Sequence, residues 1–158
     1  MVDFSKKIYN TDKFREAALY FKENQCYTKA PEGTTDYSAY WDREADRCIN
    51  GYVAPDGDSI TGYYYFYLNY SPIMRLEETT YKDRFGEERT RRSRIFDFPS
   101  FWDYDYYYYN AIEDAETEGK HMAVLKARQR GYSFKGASML VRNYSLVPKS
   151  KNFAVASE

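Results

Sequence analysis

The sequence predicts an α/β fold, because a strand, a loop, a helix and a second strand follow one another near its C-terminal end. Residues 121–125 and 152–156 are short apolar runs typical of buried strands. Between them, the spacing of apolar residues predicts a helix over 133–147 that ends before Pro148. This unit has about the length of a crossover between parallel strands, so we expect it to form part of a parallel sheet. The residues expected on the buried face of the helix are Phe134, Ala137, Leu140, Val141 and Tyr144.

Two helices are expected before any strand. The first is capped by Thr11 and has an amphipathic pattern over residues 14–21. The second is capped by Thr35 or Asp36 and ends at Gly51, because glycine tolerates the left-handed conformation that often follows a helix.

The middle of the chain is predicted to be rich in β-strands. Residues 63–70 are almost all aromatic, and aromatic residues favour strands. Residues 74–81 and 88–96 flank a turn at 83–86 and are predicted to pair as a hairpin. The charged alternation of these two segments indicates that one face of the hairpin contacts water.

A third helix is predicted after the hairpin. Pro99 is suited to the start of a helix, and Ser100 is a candidate cap with Asp103 three residues further on. The helical pattern continues to about Glu118 and is closed by Gly119.

Composition excludes several classes of protein. The chain has 158 residues and a net charge of -1, which gives no attraction of the whole molecule to nucleic acid or membranes. No apolar stretch approaches the ~20 residues of a membrane span, and no secretory signal is recognisable. We expect Cys26 and Cys48 to be free thiols, and with His121 they are too few for a structural zinc site.

Residues 126–133, Lys-Ala-Arg-Gln-Arg-Gly-Tyr-Ser, have the length and the ending of a phosphate-binding loop. In the common form, G-x-x-x-x-G-K-[ST], backbone amides hold the phosphates, the lysine reaches the β- and γ-phosphates, and the hydroxyl binds Mg²⁺. Gly131 and Ser133 match the last glycine and the hydroxyl, whereas Tyr132 occupies the lysine position. The match is therefore partial.

The positive charge that the loop lacks would have to come from Lys126, Arg128 or Arg130. The loop precedes the predicted helix 133–147, and the N-terminus of a helix favours anions through its free N–H groups and its dipole. The alternative is an ordinary basic turn before a surface helix.

The loop resembles the variant Walker A motif of bacteriophage terminase large subunits, the motor-nucleases that package viral DNA. The pattern K-x-R-Q-x-G-x-S is frequent in those proteins. Residues 62–73 and 98–106 are similar to segments upstream of that motif in terminases of large tailed phages. The resemblance covers roughly residues 45–158.

The resemblance implies a fold, namely the N-terminal part of a RecA-like P-loop ATPase core in the α/β class. Two helices and a β-hairpin region would precede this core, and its sheet would be incomplete. We expect an N-terminal helical region over 1–60 and an incomplete ATPase domain over 61–158. The implied cofactors are ATP and Mg²⁺.

The resemblance also assigns roles to individual residues. Lys126 or Arg128 would replace the missing Walker A lysine, because phosphoryl transfer requires positive charge rather than one particular side chain. Phe98 and Trp102 are candidates for a contact with the nucleotide, with core packing as the alternative. The residues implied to bind the nucleotide are Gln129, Arg130, Gly131, Tyr132 and Ser133, the last also binding Mg²⁺ through its hydroxyl.

A complete terminase also carries a Walker B strand, a coupling motif and a nuclease with clustered carboxylates. None of these can be placed in the sequence, so we expect the chain to stop inside a domain and to be inactive alone as an ATPase or nuclease. The partners implied for the intact protein are viral double-stranded DNA, the portal and the small terminase subunit, in an oligomeric ring with no membrane. The implied location is the host cell cytoplasm, transiently on the procapsid.

Two alternatives belong to other classes of function. In the first, the chain is a non-enzymatic nucleic-acid-binding module, in which the basic run from Arg89 to Arg94 contacts phosphates and the tyrosine clusters at 63–67 and 104–109 stack on bases. In the second, it is a phage accessory protein without a ligand.

Overall fold

The computed structural model describes residues 12–126 and 131–153, which form five α-helices and two small antiparallel sheets. The mixed α/β class is confirmed at this level. The helices are α1 (Glu16–Asn24), α2 (Thr35–Asn50), α3 (Gly62–Tyr70), α4 (Asp103–Thr117) and α5 (Tyr132–Leu146). The strands are β1 (Tyr52–Val53), β2 (Ser59–Ile60), β3 (Ile73–Lys82) and β4 (Glu88–Asp97).

Both N-terminal helices form as predicted. A short 3₁₀ turn, Asp12–Phe14, precedes α1, while the proposed cap Thr11 lies outside the described residues. The cap of α2 is Thr34 rather than Thr35 or Asp36, and its hydroxyl accepts a hydrogen bond from the Tyr37 N–H at 3.3 Å. Gly51 closes α2, as predicted.

The aromatic segment 63–70 was predicted as a strand, and this prediction is wrong because the segment forms α3. The hydroxyl of Thr61 caps the helix by accepting from the Tyr64 N–H at 3.2 Å. A Cβ on Gly62 would lie 2.4 Å from the Cys48 carbonyl oxygen, so only glycine permits this close approach to α2. Every residue of α3 before Tyr70 is buried, and burial on all sides removes the periodicity that distinguishes a helix from a strand.

The predicted hairpin is confirmed. β3 and β4 pair in register from Ile73 opposite Asp97 to Lys82 opposite Glu88. In the turn, the Asp83 carboxylate accepts the N–H groups of Phe85 and Glu87 at 2.9 and 3.1 Å. The smaller pair β1–β2 was not predicted.

One hydrophobic core joins the helices, and most of its members are aromatic. Its members lie on both sides of the predicted boundary between an N-terminal region, 1–60, and an ATPase domain, 61–158, and this division of the chain stays a prediction. The core consists of Phe14, Cys48, Ala54, Ile60, Tyr63, Tyr64, Tyr65, Phe66, Tyr67, Leu68, Phe101, Tyr106, Tyr109 and Ile112.

Two further predictions concern the cysteines and membrane spans. Cys26 and Cys48 are free thiols, as expected. Within the part of the chain that the structure describes, no helix has the length and apolar character needed to span a bilayer.

The predicted parallel sheet does not form over residues 12–126 and 131–153, where both sheets are antiparallel. Residues 121–125 lie outside any strand and are exposed, so the prediction of a buried strand there is wrong. The reason is that no described segment pairs with them, and an unpaired strand leaves its backbone groups unsatisfied when buried. For the second predicted strand, residues 152 and 153 are not in a strand, and 154–156 lie outside the described residues.

Helices α4 and α5 confirm two further predictions and correct their details. α4 begins at Asp103 with Trp102 as its N-cap, so Ser100 is not the cap. α5 ends before Pro148, as expected, but its predicted buried face is wrong. The side chains buried on α5 are Lys135, Ser138 and Arg142, and those exposed include Phe134, Val141 and Tyr144.

Candidate functional site

The first turn of α5 follows the predicted phosphate-binding loop directly. Gly131 is the N-cap and has φ 71°, a left-handed conformation that side chains disfavour. A Cβ there would meet nothing within 4 Å, so the conformation rather than lack of space favours glycine. The Gly131 carbonyl accepts the N–H groups of Phe134 and Lys135 at 3.1 and 3.2 Å.

The two N–H groups before these, on Tyr132 and Ser133, find no acceptor among the described residues. No acidic side chain lies in the first turn of α5, and no side chain caps it. Within the described ranges, no side chain therefore caps the positive end of the helix dipole, and the two N–H groups are suited to an anion such as a phosphate.

The structure describes only some of the predicted site residues. Ser133 is exposed on the first turn, and Lys126 is exposed at the other end of the loop. The Lys126 ammonium lies 5.6 Å from the centre of the Tyr132 ring, which brings both ends of the loop together. The remaining predicted residues, Arg128, Gln129 and Arg130, lie outside the described residues.

Tyr132, at the position of the missing lysine, turns its ring towards α4. The ring meets Tyr108 edge-on, with centroids 4.9 Å apart and planes at 75°. The ammonium of Lys135 lies 4.2 Å from the Tyr132 ring centre. Tyr132 is thus an anchor between α5 and α4 rather than a phosphate ligand through its side chain.

Sequence reasoning missed a buried ion pair beneath this anchor. Lys135 and Asp105 are 1% and 2% exposed and are in direct contact. The Lys135 ammonium is surrounded by the rings of Tyr104, Tyr108 and Tyr132, at 4.7, 5.8 and 4.2 Å from their centres, which we call the tyrosine cage. The face of α5 that carries Lys135 also carries Met139 and Leu146, which are partly buried against the core.

Burial dominates the electrostatics of this pair. It raises the pKa of the Asp105 carboxyl to about 6, although the neighbouring Lys135 opposes the shift. Burial also raises the pKa of the Tyr108 and Tyr132 hydroxyls, and the charge of Asp105 acts in the same direction. The tyrosines are therefore neutral at physiological pH.

The exposed indole of Trp102 packs against the outer side of the tyrosine cage. Trp102 is 55% exposed and stacks on Tyr104 at 5.8 Å, with an angle of 25° between the rings. Phe98, in contrast, is buried and meets Phe21 edge-on at 5.8 Å. Of the two proposed nucleotide contacts, Trp102 has a surface that a planar base can reach, and Phe98 is a core residue.

The site at the start of α5 fits the phosphates of MgATP better than it fits the metal ion. The donors and the dipole at the start of α5 fit phosphate oxygens. For the metal, the hydroxyl of Ser133 is the one predicted ligand, and no group of three potential metal-binding side chains occurs in the described ranges.

The basic run lies on the hairpin. Opposite neighbours across the two strands include Glu78 with Arg92, and their side chains form an ion pair at 2.7 Å. Arg89 pairs with Asp83 and Glu87 at 3.1 and 2.9 Å. Within the described segments, Arg91 and Arg94 have no acidic partner.

The tyrosine clusters do not form the base-stacking surface that one alternative required. Tyr63 to Tyr67 are all at most 8% exposed, inside α3. In α4, Tyr106 and Tyr109 are buried, and Tyr109 stacks on Tyr64 at 5.1 Å. These buried tyrosines build the core, whereas Tyr104 is 39% exposed.

A second buried polar cluster lies between α2 and α3. The Glu44 carboxylate accepts hydrogen bonds from the hydroxyls of Tyr65 and Tyr70 at 2.6 and 2.8 Å, and from the Arg47 guanidinium at 2.9 Å. Each buried group is satisfied, so this cluster stabilises the packing of the two helices.

Comparisons with protein-family models, curated proteins and solved structures find no match to this chain. The function is therefore argued from the residues and the geometry.

Proposed function

We propose that the chain is the ATP-binding part of a viral DNA-packaging motor, a terminase large subunit. One observation carries the proposal: α5 begins at Gly131, in the left-handed conformation, without acidic side chains in its first turn and with two N–H groups that have no acceptor among the described residues. This is the place where the resemblance to the variant Walker A motif puts the phosphates. The proposed fold is a RecA-like core.

Exposed apolar surfaces next to the loop support a larger α/β core. Leu125, just before the loop, is fully exposed, and Val124 is 42% exposed. On α5, Phe134, Val141 and Tyr144 are 42, 54 and 83% exposed. A sheet that packed against α5 and the segment 121–125 would remove this surface from water.

The loop residues then have distinct roles. The N–H groups of Tyr132 and Ser133 donate to phosphate oxygens, and the Lys126 ammonium, held at the Tyr132 ring, contributes positive charge. Arg128 is the other candidate for that charge. Bound Mg²⁺ would neutralise the phosphates and hold them for in-line attack, with Ser133 as a ligand.

The partners proposed for the assembled motor are viral double-stranded DNA, the portal and the small terminase subunit, in a ring in the host cytoplasm. By itself the chain should bind MgATP weakly and hydrolyse it negligibly, because no Walker B Asp-Glu pair can be placed in its sequence.

Calorimetric titration of the chain with MgATP tests this function. The matched variants are Ser133→Ala, in the first turn of α5, and Ser145→Ala, exposed in its last turn. We expect the first variant to weaken binding and the second to leave it unchanged. Robust ATP turnover, or equal affinity in all three proteins, would contradict the proposal.

A second candidate function is favoured by the hairpin. Arg91 and Arg94 project from exposed strands without an acidic partner in the described residues, and such cations bind nucleic-acid phosphates. Since the first tyrosine cluster is buried, as are Tyr106 and Tyr109 of the second, binding would be mainly electrostatic. It would fall steeply with salt, be reduced in Arg91→Ala and Arg94→Ala, and be unaffected by Ser133→Ala.

A further inference from the structure

Lys135 is buried although it lies one helical turn from the exposed loop. It is 1% exposed and pairs with Asp105, which is 2% exposed. A cation that is removed from solvent and neutralised by a carboxylate has little charge left to offer an outside anion. Lys135 is therefore not a displaced Walker A lysine.

The position of Lys135 instead holds Tyr132. The two residues are three apart on α5, so the Lys135 side chain folds back beneath the ring at 4.2 Å. Tyr108 of α4 meets the same ring at 4.9 Å. Asp105 lies in the first turn of α4, so the pair joins the starts of the two helices.

The same contacts determine where the anion donors point. Tyr132 is the first residue of α5, and its N–H and that of Ser133 have no acceptor in the ranges that the structure describes. Donors stabilise an anion best when their direction is set before the anion arrives. A small displacement of such groups, on the order of 1 Å, weakens their effect strongly.

We propose that Asp105 and Lys135 are positioning residues for the phosphate site, which hold Tyr132 and the first turn of α5 against α4. Neither residue touches the phosphate. This inference rests on the proposed nucleotide-binding function, and it explains why a tyrosine can stand where the motif usually has lysine.

The test uses a double variant, Asp105→Asn with Lys135→Met, which removes both charges and leaves no buried charge unpaired. The control is Arg142→Met, which removes the other buried cation of α5, two turns away. The Arg142 guanidinium donates to the Cys48 and Ile49 carbonyls at 2.8 and 3.1 Å. Both variants thus loosen α5, at opposite ends.

The first readout is amide hydrogen exchange. The Phe134 N–H, bonded to the Gly131 carbonyl, reports the first turn, and the Val147 N–H, bonded to the Asn143 carbonyl, reports the last. The inference predicts that Phe134 exchanges at least about tenfold faster in the double variant, whereas Arg142→Met accelerates Val147 more than Phe134. Unchanged exchange at Phe134 in the double variant would overturn it.

The second readout is the Kd of MgATP. The inference predicts a Kd at least about tenfold higher in the double variant and within about twofold of wild type in Arg142→Met. Equal effects of the two variants on the Kd would mean that the pair acts through stability alone, and would also overturn it. If the wild-type chain binds no MgATP, the proposed function fails, and the exchange comparison alone decides whether the pair holds the first turn.

Discussion

The two ends of α5 are attached to the protein by buried cations, but the cations have different partners. At the start, Lys135 pairs with the Asp105 carboxylate inside the tyrosine cage. Near the end, Arg142 donates to the backbone carbonyls of Cys48 and Ile49, at the C-terminus of α2, and its guanidinium lies 4.0 Å from the Tyr63 ring centre. The first attachment joins two full charges, and the second joins a charge to the negative end of a helix dipole.

This difference indicates what each end is built for. An ion pair in a ring of aromatic groups holds one point, Tyr132, next to the proposed phosphate site. A guanidinium that spans two carbonyls secures the helix against α2, where no site is proposed. The helix is thus attached through these polar contacts and through Met139 and Leu146, which pack against the core, whereas Phe134, Val141 and Tyr144 are exposed.

Removal of one partner of the ion pair should have the largest effect. Lys135→Met leaves the Asp105 carboxylate buried without its cation, and we expect a loss of about 3–5 kcal/mol in the free energy of unfolding. The double variant with Asp105→Asn should recover most of this loss. Urea unfolding of both variants measures it, and a double variant as unstable as the single one would show that the pair is not a unit.

Removal of the other cation should cost less. Arg142→Met takes the guanidinium donor from the Cys48 and Ile49 carbonyls and removes a cation–π contact, for which we expect a loss of about 2 kcal/mol in the free energy of unfolding. The same urea experiment measures it. A loss greater than that of Lys135→Met would reverse the comparison between the two ends.

The pH dependence of stability should separate the two ends further. The pKa of Asp105 is about 6 in the folded protein and near 3.8 when exposed, so the folded state holds the proton more tightly. Its contribution to stability is therefore fully present below the unfolded pKa and is lost as the pH rises through the folded pKa. We expect Asp105→Asn to remove about 1–2 kcal/mol of that decline between pH 4 and 6.5, whereas Arg142→Met keeps it. Identical pH profiles of Tm for wild type and Asp105→Asn would contradict this assignment.

The smallest effect is expected on the exposed side of α5. Tyr144→Ser changes a residue that is 83% exposed, and we expect less than about 0.5 kcal/mol in urea unfolding. The comparable change on the buried side, Ser138→Tyr, should be strongly destabilising, because the Ser138 hydroxyl lies 2.7 Å from that of Ser71. A loss several times larger than about 0.5 kcal/mol for Tyr144→Ser would contradict this expectation, because it would mean that other parts of the same chain bury the exposed side of α5.

The sequence predicted the elements whose signals are local. The end of α2 at Gly51, the β3–β4 hairpin and the existence of α5 depend on nearby turn residues, alternation and Pro148. α3 was missed because an aromatic run that is buried on all sides has no periodicity. The segment forms a helix because Thr61 caps its start and because Gly62 permits a close approach to α2.

The candidate site was predictable only where it is continuous in sequence. Residues 126–133 could be found from the spacing of Gly131 and Ser133. The ion pair beneath them could not, because Lys135 and Arg142 resemble ordinary surface cations. Their burial depends on partners that are remote in the chain, such as the Cys48 carbonyl, 94 residues from Arg142.

The central claim is that the first turn of α5 binds phosphate, and backbone amide shifts in a titration with MgATP test it most directly. The account predicts that the largest shifts occur at Tyr132 and Ser133, with little change at Val147 or at Arg91 of the hairpin. Shifts confined to the hairpin, or none at the start of α5, would contradict it.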